Sequence, residues 1–200
     1  IEGGMIGKHE IRREDILAPD VYAAERSARR SEVVLIKKHR RIEVGPVASF
    51  YFENYATMWH QIHEMLFIEK GGEEQISDEI EAYNPLIPKG RELIATVMFE
   101  IDDEIRRRNF LARLGGVEET AFLRFNDEKI MGIPEADIDR TTSEGKASAV
   151  QFIRFPFSDE QVKNFNSSDA EIIIGFNHPN YSHMAVMSLS VKEALVKDFD

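Results

Sequence analysis

Short strand-like segments crowd the second half of this chain, and most of them are separated by brief turns. Runs rich in β-branched and aromatic residues predict strands at 120–125, 129–133, 147–155, 171–176 and 183–187. Short connections join strands in antiparallel order, whereas parallel strands need crossovers of about a dozen residues. The sequence therefore predicts an α+β fold, a mixed but largely antiparallel sheet with helices packed on it, and argues against a doubly wound parallel sheet.

The first half combines helical periodicity with three further strands. Asn54 is the predicted N-cap of an amphipathic helix whose apolar face includes Tyr55, Trp59 and Ile62. The predicted strands there are 41–44, 47–52 and 93–101, and the helices are 21–36, 54–69, 73–82 and 104–114, with shorter helices later at 159–165 and 191–199. A tight hairpin turn is expected at Asp127–Glu128, and the polar segment 134–146 is expected to be a flexible loop.

Length predicts a single α+β domain at 5–200, helix-rich over 5–115 and strand-rich over 116–200. Residues 1–4 are interpreted as a cloning remnant, with Met5 as the native start. The chain contains no cysteine, which excludes disulfides, thiolate nucleophiles and cysteine-based metal sites and favours a cytoplasmic location. The longest apolar stretch, 93–99, is far shorter than the ~18–20 residues of a membrane span, so no membrane association is predicted.

Net charge is −11, and nearly all of the excess lies in one third of the chain. Residues 51–105 carry three basic and thirteen acidic side chains. Nucleic-acid binding needs the opposite footprint, because phosphates are neutralised by Lys and Arg. The acidic segment therefore argues against a nucleic-acid partner and leaves open a cation site or a basic partner.

Several phrases along the chain follow one another in an order typical of one family. They are LIKKHRRIEVGP at 35–46, FEN at 52–54, AYNPLIP at 82–88, SAVQF at 148–152, and HP at 178–179 with Tyr181. Together they resemble a bacterial domain-of-unknown-function family, number thirty-five-oh-one, from about Glu10 onward. The resemblance implies no catalytic residues, since the family has no assigned activity. Members of this family resemble proteins whose genes lie near those of rubrerythrin-like and iron–sulfur proteins. By association alone, the resemblance implies a link to redox or iron metabolism.

A histidine and two carboxylates form the candidate metal site. At about 100° per residue, Glu53, His60 and Glu64 fall within about 40° of one another on the 54–69 helix. Imidazole with carboxylate suits a divalent transition metal such as zinc, iron or manganese. The alternative is an ordinary solvated stripe opposite the apolar face. A zincin helix is excluded because Phe67 occupies the position of the second histidine.

Two further groups are candidates for binding an anion or a small molecule. The basic run contains Lys37, Lys38, Arg40 and Arg41, and it is expected either to bind an anion, to be solvated, or to pair with the acidic 73–81 helix of the same or a second chain. The second group is Tyr83 and Asn84, where two nearby prolines stiffen the chain. It is interpreted either as the rim of a cleft or as a helix stop.

Three other side chains are candidates for acid–base groups. Glu100 ends an apolar strand, where an exposed position is favoured over a buried general acid. His178 and Tyr181 lie in a predicted hairpin and would act only if that loop covered the acidic helices.

Three functions remain open from the sequence. The first is a non-catalytic binding or accessory protein linked to redox or iron metabolism, with a redox or iron-metabolism protein as partner and a homodimer left open. The second is a metal-dependent enzyme centred on Glu53, His60 and Glu64. The third is an anion or small-molecule binding module built on the basic run with Tyr83 and Asn84.

Overall fold

Two antiparallel sheets face each other across the main core. The computed structural model describes residues 8–135, 145–167 and 169–200. In those ranges the helices are α1 (Pro19–Lys38), α2 (Tyr55–Glu69), α3 (Gly72–Tyr83), α4 (Glu104–Leu111), α5 (Asp159–Asn166) and α6 (Leu189–Val196). The strands are β1 (Arg41–Val44), β2 (Ala48–Phe52), β3 (Glu92–Phe99), β4 (Ala121–Phe125), β5 (Glu128–Met131), β6 (Ile133–Pro134), β7 (Val150–Pro156), β8 (Ile172–His178) and β9 (Tyr181–Val186).

The strands divide between a five-stranded sheet and a four-stranded sheet. The first has the order β1-β2-β3-β7-β6 and the second the order β5-β4-β8-β9, and every strand pairing within them is antiparallel. Their facing side chains form one apolar cluster, in which Phe50 of β2 and Phe176 of β8 lie 5.1 Å apart between ring centroids. The predicted α+β class and antiparallel pairing are confirmed.

Helix α2 covers the other face of the five-stranded sheet. The Asn54 side chain accepts a hydrogen bond from Thr57 N at 2.9 Å, and Thr57 Oγ1 accepts one from Asn54 N at 2.9 Å. This reciprocal cap confirms Asn54 as the start of the helix. Trp59 and Ile62 then pack against Ile94 of β3 in a second apolar cluster.

Helix α1 lies on the opposite side of α2, so α2 is covered on two sides. The Arg29 guanidinium stacks over the Trp59 ring at 4.9 Å, and that of Arg26 over the Phe67 ring at 4.2 Å. Such cation–π contacts hold the two helices together. The charged stripe of α2 consequently faces α1 and is not a simple solvated surface.

The β4–β5 hairpin turns one residue earlier than the sequence predicts. Phe125 pairs with Glu128, which leaves Asn126 and Asp127 as the turn. Asn126 adopts a left-handed backbone with φ of 51°, a conformation that asparagine tolerates better than most residues. Most of the predicted flexible loop 134–146 lies outside the described residues.

The outer faces of the two sheets differ in their cover. Helix α2 and the segment around Ile11 and Ile16 cover the five-stranded sheet. The outer face of the four-stranded sheet is more open, with Met184 58% and Val186 62% exposed. A helix that is both long and apolar enough to cross a membrane is absent from the described ranges.

Candidate functional site

Glu53, the first predicted metal ligand, is buried between two threonines. Thr57 Oγ1 donates to one carboxylate oxygen at 2.5 Å, and Thr96 Oγ1 donates to the other at 2.9 Å. The side chain is thereby fixed between α2 and β3. It joins the helix cap to the sheet through hydrogen bonds that a buried carboxylate requires.

His60 and Glu64 do lie together, but their neighbours are arginines. His60 Nε2 is 3.7 Å from Glu64 Oε1, and Arg26 holds Glu64 through two hydrogen bonds of 2.8 and 3.3 Å. Burial acts to raise the pKa of Glu64, yet its bonds and charge interaction with Arg26 leave that pKa below its ordinary value. Glu64 is therefore an ionised carboxylate in an ion pair between α1 and α2.

Beside this ion pair, His60 Nδ1 is a buried polar atom without a hydrogen-bond partner among the described residues. Burial lowers the pKa of His60, against the opposing charge of Glu64. Burial and the Glu64 charge raise the pKa of Tyr22 to about 12. No three His, Cys, Asp or Glu side chains in the described ranges lie close enough to share a metal ion. Glu53 is thus not gathered with the other two predicted ligands, and the metal site stays a prediction.

His63 is buried in the same helix interface and is fixed as a neutral imidazole. Its Nδ1–H donates to Trp59 O at 2.7 Å, while Nε2 accepts from Leu17 N at 3.0 Å. Since a backbone N–H can only donate, Nε2 must carry a lone pair. Burial lowers the pKa of His63, in agreement with that tautomer. Both nitrogens are used for structure.

The basic run separates into residues with different roles. Arg40 is buried and pairs with Asp198, and its Nε donates to Phe52 O at 2.8 Å. Arg41 instead lies 2.9 Å from Glu43 and donates to Tyr51 OH at 3.0 Å. Burial raises the pKa of Asp198 above its usual range, and the Arg40 charge opposes this shift.

This arrangement differs from the expected pairing with the acidic helix of the same chain. Neither Arg40 nor Arg41 contacts α3 through any ion pair in the described residues; Glu73 of α3 pairs with Arg13 at 2.5 Å. Lys37 is half-buried and Lys38 is exposed at the end of α1. Anion binding by the run stays a prediction, for which Lys38 and the outer atoms of Arg41 are the accessible groups.

Asn84 holds the segment before α1 and does not stand free at a rim. Its Oδ1 accepts from Ile11 N at 2.7 Å, and its Nδ2 donates to Ile11 O at 2.9 Å. Tyr83 OH accepts from Gln61 Nε2 at 3.4 Å. Binding of a small molecule by these two residues stays a prediction, while their observed contacts are internal.

The remaining acid–base candidates also make internal contacts. Glu100 is exposed and accepts from Tyr51 OH at 2.7 Å. His178 Nε2 donates to Gly115 O at 2.9 Å, and the buried Tyr181 hydroxyl donates to Val44 O at 2.6 Å. Tyr181 also accepts from two backbone N–H groups of β2 and the turn before it. The predicted β8–β9 hairpin is confirmed, and Tyr181 joins the two sheets.

Sequence reasoning missed the outer side of the four-stranded sheet, where Met131, Met184 and Val186 are exposed beside a buried Phe122. Strand register places one row across all four strands, Met131, Phe122, Gly175 and Met184. The next row is Lys129, Arg124, Ile173 and Val186. We call these eight residues the open sheet face.

The open sheet face combines flexible apolar side chains with two cations. Met131, Met184 and Val186 are 45%, 58% and 62% exposed. The Lys129 ammonium lies 4.7 Å from the Phe122 ring centroid, and an Arg124 nitrogen is 3.6 Å from Met184 Sδ. Met184 and Val186 are neighbouring outward positions of β9, and adjacent exposed apolar residues of this kind are candidates for an interaction surface. The signal for this surface in the sequence is that β9 carries apolar residues on both of its faces.

The fold defines a class, namely an α+β protein with two antiparallel sheets that share one core. A family model described as "Protein of unknown function (DUF3501)" matches residues 10–199, and the chain belongs to this family. It is also similar to a solved structure described as a novel protein of unknown function from Burkholderia pseudomallei K96243. The two share 37% identity over 95% of this chain and 99% of that chain, with a TM-score of 0.88. A comparison with curated proteins finds no match.

Proposed function

We propose that this protein is a non-catalytic binding or accessory protein that docks another polypeptide on the open sheet face. The observation that carries the proposal is the exposure of Met131, Met184 and Val186 on the outer face of the four-stranded sheet. Methionine side chains adapt their shape to a partner and are common at binding surfaces. A sheet face left apolar at this scale favours a contact with another molecule.

The state of the candidate chemical groups supports the same function. Within the described ranges, the polar atoms of Glu53, His63 and Tyr181 are all engaged in hydrogen bonds to the protein itself. Groups used in this way stabilise the fold and are not presented to a substrate. A link of the partner to redox or iron metabolism is part of the proposal and derives from the family resemblance alone.

Site-specific photo-crosslinking in cells of the source organism tests the proposal. A photoreactive amino acid is placed at Met184, and in a control variant at Lys163, an exposed residue of α5. We expect a discrete adduct from position 184 whose second protein is identified by mass spectrometry and binds again when both proteins are purified. Absence of an adduct at 184, or the same adducts from 163, would overturn the proposal.

A second candidate, a metal-dependent enzyme, is favoured by the unpartnered His60 Nδ1 beside Glu64. An orphaned imidazole nitrogen is a potential metal ligand. Elemental analysis of untagged protein tests this candidate. It predicts about one equivalent of transition metal per chain and loss of that metal in His60→Ala, with His9→Ala as a control. Undiminished metal in His60→Ala would exclude it.

A further inference from the structure

The open sheet face lacks carboxylates in a protein that is otherwise rich in them. With the next outward positions of β8 and β9, Asn177 and Ser182, its strands place nine side chains and one glycine outward: Phe122, Arg124, Lys129, Met131, Ile173, Gly175, Asn177, Ser182, Met184 and Val186. None of them is acidic, although the chain carries 36 Asp and Glu and a net charge of −11. The face is thus a local exception to the charge of the whole molecule.

The two cations of this face lie directly opposite each other. Arg124 of β4 pairs in register with Lys129 of β5, and both are exposed. Like charges at directly opposed positions of an antiparallel sheet destabilise it. Neither cation forms an ion pair with a carboxylate of the described residues. Both cations are therefore accessible to the carboxylates of a partner.

Gly175 has no side chain and therefore leaves the apolar row of Met131, Phe122 and Met184 flat where it crosses β8. A Cβ atom there would lie 3.0 Å from Phe122 Cζ and 2.9 Å from Met184 Cγ. The missing side chain lets the Phe122 ring lie across β8. Phe122 is only 4% exposed, so an approaching polypeptide would meet the exposed Met131 and Met184 on either side of it.

Charge complementarity selects the partner. A second copy of this chain that docked by the same face would bring four cations into one interface without a carboxylate, which like-charge juxtaposition disfavours. A nucleic-acid backbone would meet an apolar row and two cations on an acidic protein, the reverse of the usual basic footprint. A segment with both apolar and acidic side chains satisfies both parts of the face.

We infer that the open sheet face binds an acidic, apolar polypeptide segment of a different protein. Its carboxylates pair with Arg124 and Lys129, and its apolar side chains lie against Met131, Met184 and Val186. This inference rests on the proposed function and names the chemistry of its partner.

Selection from a displayed library of random dodecamer peptides tests the inference on the full-length protein. We expect enriched peptides to carry net negative charge with at least two large apolar residues. Synthetic versions should bind at least tenfold more weakly to Arg124→Glu/Lys129→Glu and to Met184→Glu. The matched control Arg106→Glu/Arg108→Glu, with the same charge change on exposed residues of α4, should bind as the wild type does.

The outcomes separate the inference from the function on which it rests. Peptides that require Met184 but are neutral or basic would overturn the acidic partner and leave a docking face. Enrichment that is equal on wild type and Met184→Glu would overturn both. Sedimentation velocity tests whether the face binds a second copy of this chain. A concentration-dependent dimer that is lost in Met184→Glu would show self-association and overturn the inference. Circular dichroism and thermal melts establish that each variant is folded.

Discussion

At the scale of single residues, polar groups inside this protein are held in defined protonation states by their partners. His63 donates from Nδ1 and accepts at Nε2, so the fold admits only the neutral ring. Arg40 and Asp198 form the complementary case, a charged pair with side chains 5% and 6% exposed. Each arrangement converts a potential chemical group into a structural one.

The His63 arrangement predicts a dependence of stability on pH. Its folded pKa is lowered, so the unfolded chain takes up a proton that the folded chain refuses. The His63 contribution is complete above about pH 6.5 and decreases as pH falls below that value, with a slope of up to about 1.4 kcal/mol per pH unit. Urea denaturation of wild type and His63→Gln between pH 5 and 8 measures it. Equal pH slopes in both proteins would contradict the prediction.

The buried pair predicts a large effect of substitution at Asp198. Asp198→Ala leaves Arg40 without its carboxylate in the interior and is expected to lower the free energy of unfolding by about 3–5 kcal/mol. Arg40→Met/Asp198→Leu should lose less than the two single substitutions added together, because neither charge is then left alone. Denaturant titrations of the four proteins give the coupling, and strictly additive losses would refute it.

At the scale of elements, the β4–β5 hairpin contains two like charges in register that do not contribute to its stability. Arg124 and Lys129 are opposed in register, although Asn126 and Asp127 already define the turn. The Lys129 ammonium over Phe122 offsets part of the repulsion. Such a conflict between local stability and surface chemistry is expected where a surface serves binding.

Reversal of one charge in this pair is expected to stabilise the protein. Arg124→Glu places opposite charges across the strands and should raise the free energy of unfolding by about 0.5 kcal/mol at low salt. Arg124→Gln, which removes repulsion without adding attraction, should give a smaller gain. Urea titrations at low and high salt check the effect, which screening should reduce. A less stable Arg124→Glu protein would show that the opposed cations do not repel significantly.

At the scale of the whole molecule, the segment before α1 is held in place by residues much later in the chain. Asn84 holds the Ile11 backbone through two hydrogen bonds, and His9 Nε2 lies 3.0 Å from Asp200 Oδ1. Arg91 also donates to Asp200 O at 2.8 Å. Residues far apart in the sequence therefore close one side of the second apolar cluster.

Loss of the Asn84 contacts is expected to loosen this region before the rest of the fold. Asn84→Ala leaves a part-buried backbone N–H and C=O unpaired and should cost about 1–3 kcal/mol. Hydrogen exchange should accelerate at residues 8–17 while β2 and β3 keep their protection. Ser190→Ala, at an exposed position of α6, serves as the control. Unchanged exchange at residues 8–17 would show that Asn84 does not hold the segment.

The sequence by itself determined the features that depend on neighbouring residues. Asn54 caps α2 through contacts within one turn, and the β4–β5 hairpin was recognisable from its short connection, although its turn lies at 126–127 and not at 127–128. Short connections in the second half require antiparallel pairing, which is why the α+β class follows from the sequence. The family membership was likewise recognisable from local phrases and their spacing.

Only the tertiary structure decided which faces are covered. β3 pairs with β7, more than fifty residues further along the chain, and no local pattern specifies that partner. The same long-range packing buries Arg40 within a basic run, places α1 over the Glu64 stripe and leaves β9 with Met184 and Val186 outward. Burial depends on which distant element arrives at a surface, and therefore the open sheet face is visible only in the folded protein.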